Sequence, residues 1–164
     1  MSYLYLYIKN KIDKLTKRGE TKMFVRPFHL SDYASIANLF SEVLSEACYE
    51  ETIEAFAKQL TLDAELVLVS VVNEEIAGII IGTIDQRNQG YYYRIAVAPQ
   101  FQRKGIGRAL ITGLKQKFIQ RKVSKILVTV DVHNEPILPV YEAVGYTDNN
   151  FSRSFRHLRI VNGR

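Results

Sequence analysis

The chain has 164 residues, 47% of them hydrophobic, and a net charge of +5, enough for one well-packed domain and short for two. No apolar run approaches the roughly 18 to 20 residues of a membrane span, and the start MSYLYLYIKNK lacks a basic leader and a small-residue cleavage pattern, so a cytoplasmic protein is expected. The single cysteine, Cys48, excludes an intrachain disulfide, and His29, His133 and His157 lack metal-ligand spacing, so no metal is expected.

Residues 1–26 carry seven Lys/Arg against two Asp/Glu, and residues 1–22 read as a basic N-terminal arm ahead of a domain at 23–164. KMFVRPF reads as a short strand ended by Pro27. SDYASIANLFSEVLSEA follows as a helix capped by Ser31, with Ile36, Leu39, Phe40, Val43, Leu44 and Ala47 at helical spacing. A second helix is expected at about 50–60 with Ile53, Phe56, Ala57 and Leu60 on one face. AELVLVSVV and EIAGIIIGTID are β-rich runs joined by the turn-like NEE, an antiparallel hairpin. GYYYRIAVA is the next strand, stopped at Pro99.

A helix from about 105 to 121 places Ile106, Ala109, Leu110, Leu114 and Phe118 on one stripe. KILVTVDV then reads as a strand, EPILPVYEAVG as a short helix stopped by Gly145, and SFRHLRIV as a last strand. The strand, helix and strand across 91–132 form a crossover expected to be right-handed and parallel. The fold class is therefore mixed α/β, with an antiparallel first half.

Charge is segregated along this order. Residues 32–75 hold ten acidic residues and only Lys58, whereas 87–125 hold ten basic residues and no acidic one. Such separation suggests two faces or pockets of opposite sign, one for an anion and one for a cation; two solvated faces are the alternative.

The stretch VAPQFQRKGIGRAL, residues 97–110, sets Gly105 and Gly107 where a helix starts. A loop of this kind exposes unpaired backbone N–H groups at the positive end of the helix dipole, and glycine lets a ligand approach the backbone. Phosphate is the expected guest, with Arg103, Lys104 and Arg108 adding charge. The phosphate-loop pattern G-x-x-x-x-G-K-[ST] is absent, and G-x-G-x-x-G/A fails because Leu110 stands at the third small position.

Gln102, Arg103, Lys104, Gly105, Ile106 and Gly107 match Q/R-x-x-G-x-G/A, and after IAVAPQF they resemble motif A of the GNAT N-acetyltransferases, which bind acetyl-CoA. NEPILPVYEAVGY resembles a second segment of that family, with Asn134, Tyr141, Gly145 and Tyr146 in register, and FVRPFHLSDYASIANLF is similar to its opening strand and helix. The resemblance spans about 23–160. It implies a mostly antiparallel central sheet of about six to seven strands, with the parallel β-α-β crossover at the cofactor site and helices on both faces. It also implies that the backbone of Ile95 and Val97 pairs with the pantetheine arm and acetyl carbonyl, and that N–H groups from Arg103 through Lys104, Gly105, Ile106 and Gly107 to Arg108 hold the pyrophosphate. Asn134 would contact the pantetheine region or an ordered water, or cap the helix behind it. Tyr141 would stand near the thioester sulfur, a phenol of pKa about 10 protonating a thiolate of about 8.5.

Ile137 stands where the family has a small residue, and Pro136 and Pro139 threaten to displace Tyr141. Asp85, Asp131 and Glu135 are general-base candidates by location only, and a water relay is the equal alternative. The acidic 32–75 segment, if it walls the acceptor site, favours a cationic amine. The function implied is N-acetyl transfer from acetyl-CoA to a primary amine of a small molecule, protein or peptide by direct attack; the alternative is a CoA-binding regulatory or scaffold module with little catalysis. Membrane and nucleic acid are not expected partners, and a homodimer is left open. The arm at 1–22 is either a segment touching another molecule or an upstream extension, since Met23 stands where chains of this family begin.

Overall fold

The computed structural model describes residues 2–19 and 22–161. Helix α1 (Tyr3–Gly19) occupies most of the basic arm and leaves Tyr3, Leu4, Tyr5, Leu6, Tyr7 and Ile8 exposed. A six-stranded sheet then runs in the order β1 (Met23–Pro27), β2 (Val67–Val72), β3 (Glu75–Ile84), β4 (Gln89–Val97), β5 (Lys125–Thr129) and β6 (Phe151–Ser152). The first four strands are antiparallel neighbours, and the β4/β5 and β5/β6 pairs are parallel. The β2–β3 hairpin turns on Asn73 and Glu74, both at positive φ, the backbone that lets a tight loop follow the twist of its strands.

Alternation along the strands divides the core into two layers. One face of the sheet, with Val67, Val69, Val71, Ile79, Ile81, Tyr91 and Tyr93, is covered by α2 (Tyr33–Val43) and α3 (Glu46–Asp63) through Ile36, Leu39, Phe40 and Phe56. The other, with Leu68, Ile80, Tyr92, Ile95 and Val128, is covered by α4 (Ile106–Gln120) and α5 (Leu138–Ala143) through Leu110, Leu114, Phe118 and Tyr141. The β3/β4 register slips so that Ile81 faces Arg94 while Gly82 faces Tyr92. Tyr93 is the extra residue of this bulge, and the bend sends both Tyr93 and Arg94 toward α3.

The structure corrects several expectations. The single helix over 31–47 is broken at Leu44, because Ser45 takes an extended backbone and accepts from the Cys48 N–H at 3.3 Å, starting α3 there rather than at 50. Ser31 is not the helix cap. Asp32 fixes that turn, accepting from the His29 N–H at 2.8 Å and from both Arg26 guanidinium nitrogens. Residues 154–161 form turns, not a strand. They bury Phe155, Leu158, Ile160 and Val161 against the α2/α3 layer at a spacing that alternation cannot produce, and the two-residue β6 precedes them.

The opposed charge segments pair partly with each other. Asp63, the last residue of α3, binds Arg121, and Glu65, two positions on, binds Lys117 at 2.8 Å, so these members of the two segments neutralise one another.

Candidate functional site

β4 and β5 pair only from Gln89/Lys125 to Tyr92/Val128, while β3 continues along β4 as far as Val97. The far half of β4 therefore has a neighbour on one side and a gap on the other. In an antiparallel ladder successive residues turn their backbone groups to alternate sides. The Ala98 N–H donates to the Ala77 carbonyl at 2.9 Å, so Ala96 turns toward β3, and Ile95 and Val97 turn toward the gap.

Asn134 holds the gap open. Wholly buried, its amide nitrogen donates to the carbonyls of Tyr93 (3.0 Å) and Thr129 (2.7 Å) and to the Thr129 hydroxyl (3.0 Å), taking the β4 carbonyl that a continuing β5 would have used. Its oxygen accepts from Arg94 Nη1 at 3.3 Å. The Arg94 side chain is fully buried; Nη1 meets Asp131 at 2.8 and 3.0 Å, and Nε donates to Thr52 Oγ1 at 3.1 Å, while the guanidinium lies 4.9 Å from the Tyr93 ring centre. Arg94, Asp131, Asn134 and Thr52 thus brace β4, β5 and α3 together on the side away from α4. The Arg94 Nη2 and the hydroxyls of Tyr93 and Tyr141 are buried without a hydrogen-bond partner.

The gap opens into a cleft of about 600 Å³ lined by Ile95 to Val97, Phe101 to Arg103, Gly105 to Arg108, His133, Pro136, Ile137, Val140 and Val43. Among the described residues, no backbone N–H from Arg103 to Arg108 has a protein acceptor; the first bond back into the turn is Ala109 N–H to Gly105 O at 3.0 Å. Gly105, at φ +82°, is the left-handed residue that swings the loop into α4. A Cβ on Gly105 would meet nothing within 4 Å, and one on Gly107 would meet only Ile95, Val140 and Val97 at 3.7 to 4.0 Å, all three of them cleft-lining residues. These glycines are therefore not forced by packing within the chain. They leave space in a cleft whose mouth carries free donors, the positive end of α4 and the guanidinium groups of Arg103 and Arg108. The arrangement fits a phosphate-bearing ligand with an extended amide-containing arm, as CoA is.

A sequence profile of the acetyltransferase (GNAT) family matches residues 33–146. The chain belongs to the GNAT acetyltransferase family. Among solved structures, this GNAT chain resembles Ard1 from Thermoplasma volcanium, with a TM-score of 0.65, 20% identity, and 76% of this chain and 82% of that one covered. It also resembles a ribosomal-protein alanine N-acetyltransferase from Escherichia coli, with a TM-score of 0.60 and 21% identity over 77% of this chain and 78% of that one. A third is the diaminobutyrate acetyltransferase EctA from Paenibacillus lautus, solved with its diamine substrate and coenzyme A, with a TM-score of 0.59 and 22% identity over 76% and 75% of the two chains.

The GNAT chain distributes its expected site residues unevenly. Ile95, Val97, Gln102, Arg103, Gly105, Ile106, Gly107 and Arg108 all line the cleft. Lys104 does not; its ammonium lies 5.8 Å from the Phe101 ring centre. Both strand carbonyls expected to pair with a ligand already have partners, since Ile95 O faces His133 Nε2 at 3.2 Å and Val97 O accepts from Gln102 Nε2 at 3.0 Å. Among the described residues, the N–H groups of this strand edge have no such partner and are open to a ligand. Asn134 is neither a side-chain cap nor exposed to the cleft, because its amide is spent holding the strands apart.

Tyr141 is wholly buried and is absent from the lining, although Pro136, Ile137 and Val140 of the same segment form that wall. Its ring packs edge-on to Tyr92 at 5.3 Å, and burial raises its pKa above the usual phenol range. The prolines are accommodated by splitting the segment: Glu135–Ile137 forms a 3-10 turn and α5 starts afresh at Leu138, which puts Pro139 in its first turn. The carboxylates considered as bases are all engaged: Asp85 by the N–H groups of Arg87 and Gln89, Asp131 by Arg94, and Glu135 by Arg153.

Sequence reasoning missed His133 and Arg94. In the sequence His133 is one of three histidines without metal-ligand spacing, and Arg94 is one of the ten basic residues of the 87–125 segment. The adjacency of His133 to Asn134 in the second motif was the available signal for the first. Only the bulge, which no local pattern announces, reveals the second.

Proposed function

We propose that this protein is an N-acetyltransferase that takes the acetyl group of acetyl-CoA and moves it to a primary amine of a small molecule, or of a protein or peptide. The observation that carries this is the unbroken run of backbone N–H groups without protein acceptors from Arg103 to Arg108, at the mouth of a cleft floored by an open strand edge. When bound, acetyl-CoA supplies a thioester as acyl donor. Arg103 and Arg108 place positive charge beside the N–H array that would hold its pyrophosphate. The N–H of Ile95, on the gap side of β4, is positioned to donate to an acyl oxygen as charge develops there. Ile106, Val97 and Val140 exclude water around the arm. Tyr141, in register with the family's second segment, is the group proposed to supply a proton to the departing sulfur, a role that requires its buried, unpartnered hydroxyl to reach the cleft.

Among the similar structures, one is a ribosomal-protein alanine N-acetyltransferase and another holds diaminobutyrate as its substrate, which supports an amine as the acceptor here. A cytoplasmic location accords with this chemistry; among the described residues no helix is long and apolar enough to cross a membrane, and no three metal-binding side chains gather.

A CoA-binding module with little turnover is the second reading, favoured by one observation: Tyr141 is sealed out of the cleft lining. Thiol release from acetyl-CoA across polyamines, diamino acids, aminoglycosides and N-terminal peptides separates the two. Turnover on any of these amines establishes the transferase. Tight CoA binding without turnover on all of them establishes the module.

A further inference from the structure

We infer that the proton acceptor for the incoming amine is the imidazole of His133, held in place by the carbonyl of Ile95. This rests on the transferase reading above.

An amine acceptor arrives mostly as ammonium, since alkylammonium groups resemble lysine, with a pKa of about 10. Before its nitrogen can form a bond to the acetyl carbon, it must give a proton to a group within hydrogen-bond reach, directly or through one water. The ionisable side chains lining the cleft are Arg103, Arg108 and His133. The guanidinium groups hold no lone pair at neutral pH, which leaves His133 as the one lining side chain able to take a proton. The three carboxylates nearby in sequence are each bound elsewhere and line no part of the cleft.

The geometry fixes the tautomer. A carbonyl oxygen can only accept, so at 3.2 Å from Ile95 O the Nε2 atom of His133 carries the hydrogen, and Nδ1 is the basic nitrogen. Charged neighbours act in both directions. Burial and the Arg94 guanidinium hold the imidazole below its usual pKa, so it stays neutral at pH 7, while Asp131 and the Ile95 carbonyl favour the imidazolium once it forms. Arg103 and Arg108 line the same cleft from the loop and α4, and Glu135, beside it in the chain, is paired with Arg153.

The balanced sequence is short. A proton passes from the ammonium to Nδ1; the freed nitrogen lone pair forms the C–N bond. The C–S bond then breaks with its electron pair leaving on sulfur, and the second proton that the nitrogen sheds in becoming an amide balances the one that sulfur takes up as the thiol. His133 returns its proton to water. The ring would take the substrate proton and also bonds the carbonyl of Ile95, the residue whose own N–H is proposed as the oxyanion donor, so base and donor meet at one residue.

His133→Gln is the decisive variant, because its amide can still donate to Ile95 O but cannot take a proton at neutral pH. Expected are a fall in kcat of about 100-fold, an unchanged Kd for CoA by calorimetry, and loss of the acid limb of the kcat/KM profile. His133→Ala should be rescued in part by added imidazole. If wild type turns over and His133→Gln keeps its kcat and pH profile, the assignment is overturned while the transferase reading stands. A second measurement needs no turnover: NMR titration of the His133 ring, with and without acetyl-CoA. A ring below pKa 6.5 whose Nδ1 signal shifts when acetyl-CoA binds supports the assignment. One that is protonated at pH 7, or blind to acetyl-CoA, overturns it whatever the panel of amines shows.

Discussion

Replacing Gly107 by alanine should move stability and cofactor binding in opposite directions. The added methyl would sit 3.7 Å from Ile95 Cδ1 and Val140 Cγ1 and 4.0 Å from Val97 Cγ2, ordinary contact distances, and Gly107 is not one of the glycines at positive φ. The folded chain therefore accepts it without strain. Exchanging glycine for alanine at a compatible helical position stabilises by about 0.4–1 kcal/mol, chiefly by restricting the unfolded chain. For a chain of this size that is a rise in Tm of roughly 1 to 4 °C. The same methyl projects among three cleft-lining side chains, into space that the CoA arm is expected to fill. The family pattern admits alanine here, but in this chain Ile95, Val140 and Val97 close around the added methyl, so a loss of at least about tenfold in CoA affinity, or about 1.4 kcal/mol, is expected. Thermal unfolding without ligand and calorimetric titration with CoA measure the two separately. Gly78→Ala is the contrast: its methyl would lie 2.9 Å from the Ala96 carbonyl oxygen and 3.1 Å from Leu110, so overpacking should cost about 1–3 kcal/mol. Wild-type CoA affinity in Gly107→Ala, or a lowered Tm, would refute the reasoning that this glycine is kept for a ligand.

Tyr141→Phe removes a buried hydroxyl that has no partner, so Tm should hold or rise while kcat falls by at least about tenfold and CoA binding changes little; an unchanged kcat takes Tyr141 out of the reaction. Arg94→Met strands Asp131 and breaks the brace between β4, β5 and α3, and should cost about 3–5 kcal/mol in urea unfolding; a cost below about 1 kcal/mol would show the brace to be dispensable. Asp32, bonded by Arg26 and the His29 N–H, has its pKa lowered in the folded state. Its contribution is thus complete above the unfolded carboxylate pKa of about 3.9 and disappears as pH falls through the lower folded value. Asp32→Asn should therefore destabilise at pH 7 by about 1–2 kcal/mol and converge with wild type in acid, as parallel pH–stability curves would show.

What was legible in the sequence was what neighbours in the chain decide. The hairpin at Asn73–Glu74, the stripe on α4 and the glycine loop each depend on residues within one turn or one strand; the hairpin and loop formed as read, and the α4 stripe did so except that Ile111 rather than Ala109 is buried in it. The tail failed because Phe155, Leu158, Ile160 and Val161 satisfy no single period, and the α2/α3 layer, far away in sequence, decides which of them is buried. Arg94 and Asn134 failed for the same reason: their partners lie 37 to 42 positions off, at Asp131, Tyr93 and Thr52, and a strand bulge selects the side to which they turn. The Gly105 loop could be recognised because its task is done by backbone. Side-chain tasks such as that of His133 depend on which carbonyl lies opposite.

The partnered carbonyls of Ile95 and Val97 have a consequence for how copies of this protein behave in solution. A half-open sheet exposes a row of backbone donors and acceptors, a template on which another chain could add a strand. Here His133 and Gln102 each engage one of the carbonyls of that row, so an intruding peptide would compete with them for acceptors of its own N–H groups. The gap is partly blunted against strand addition while its N–H groups stay open to a ligand. Opening the sheet for chemistry thus need not open it to self-association.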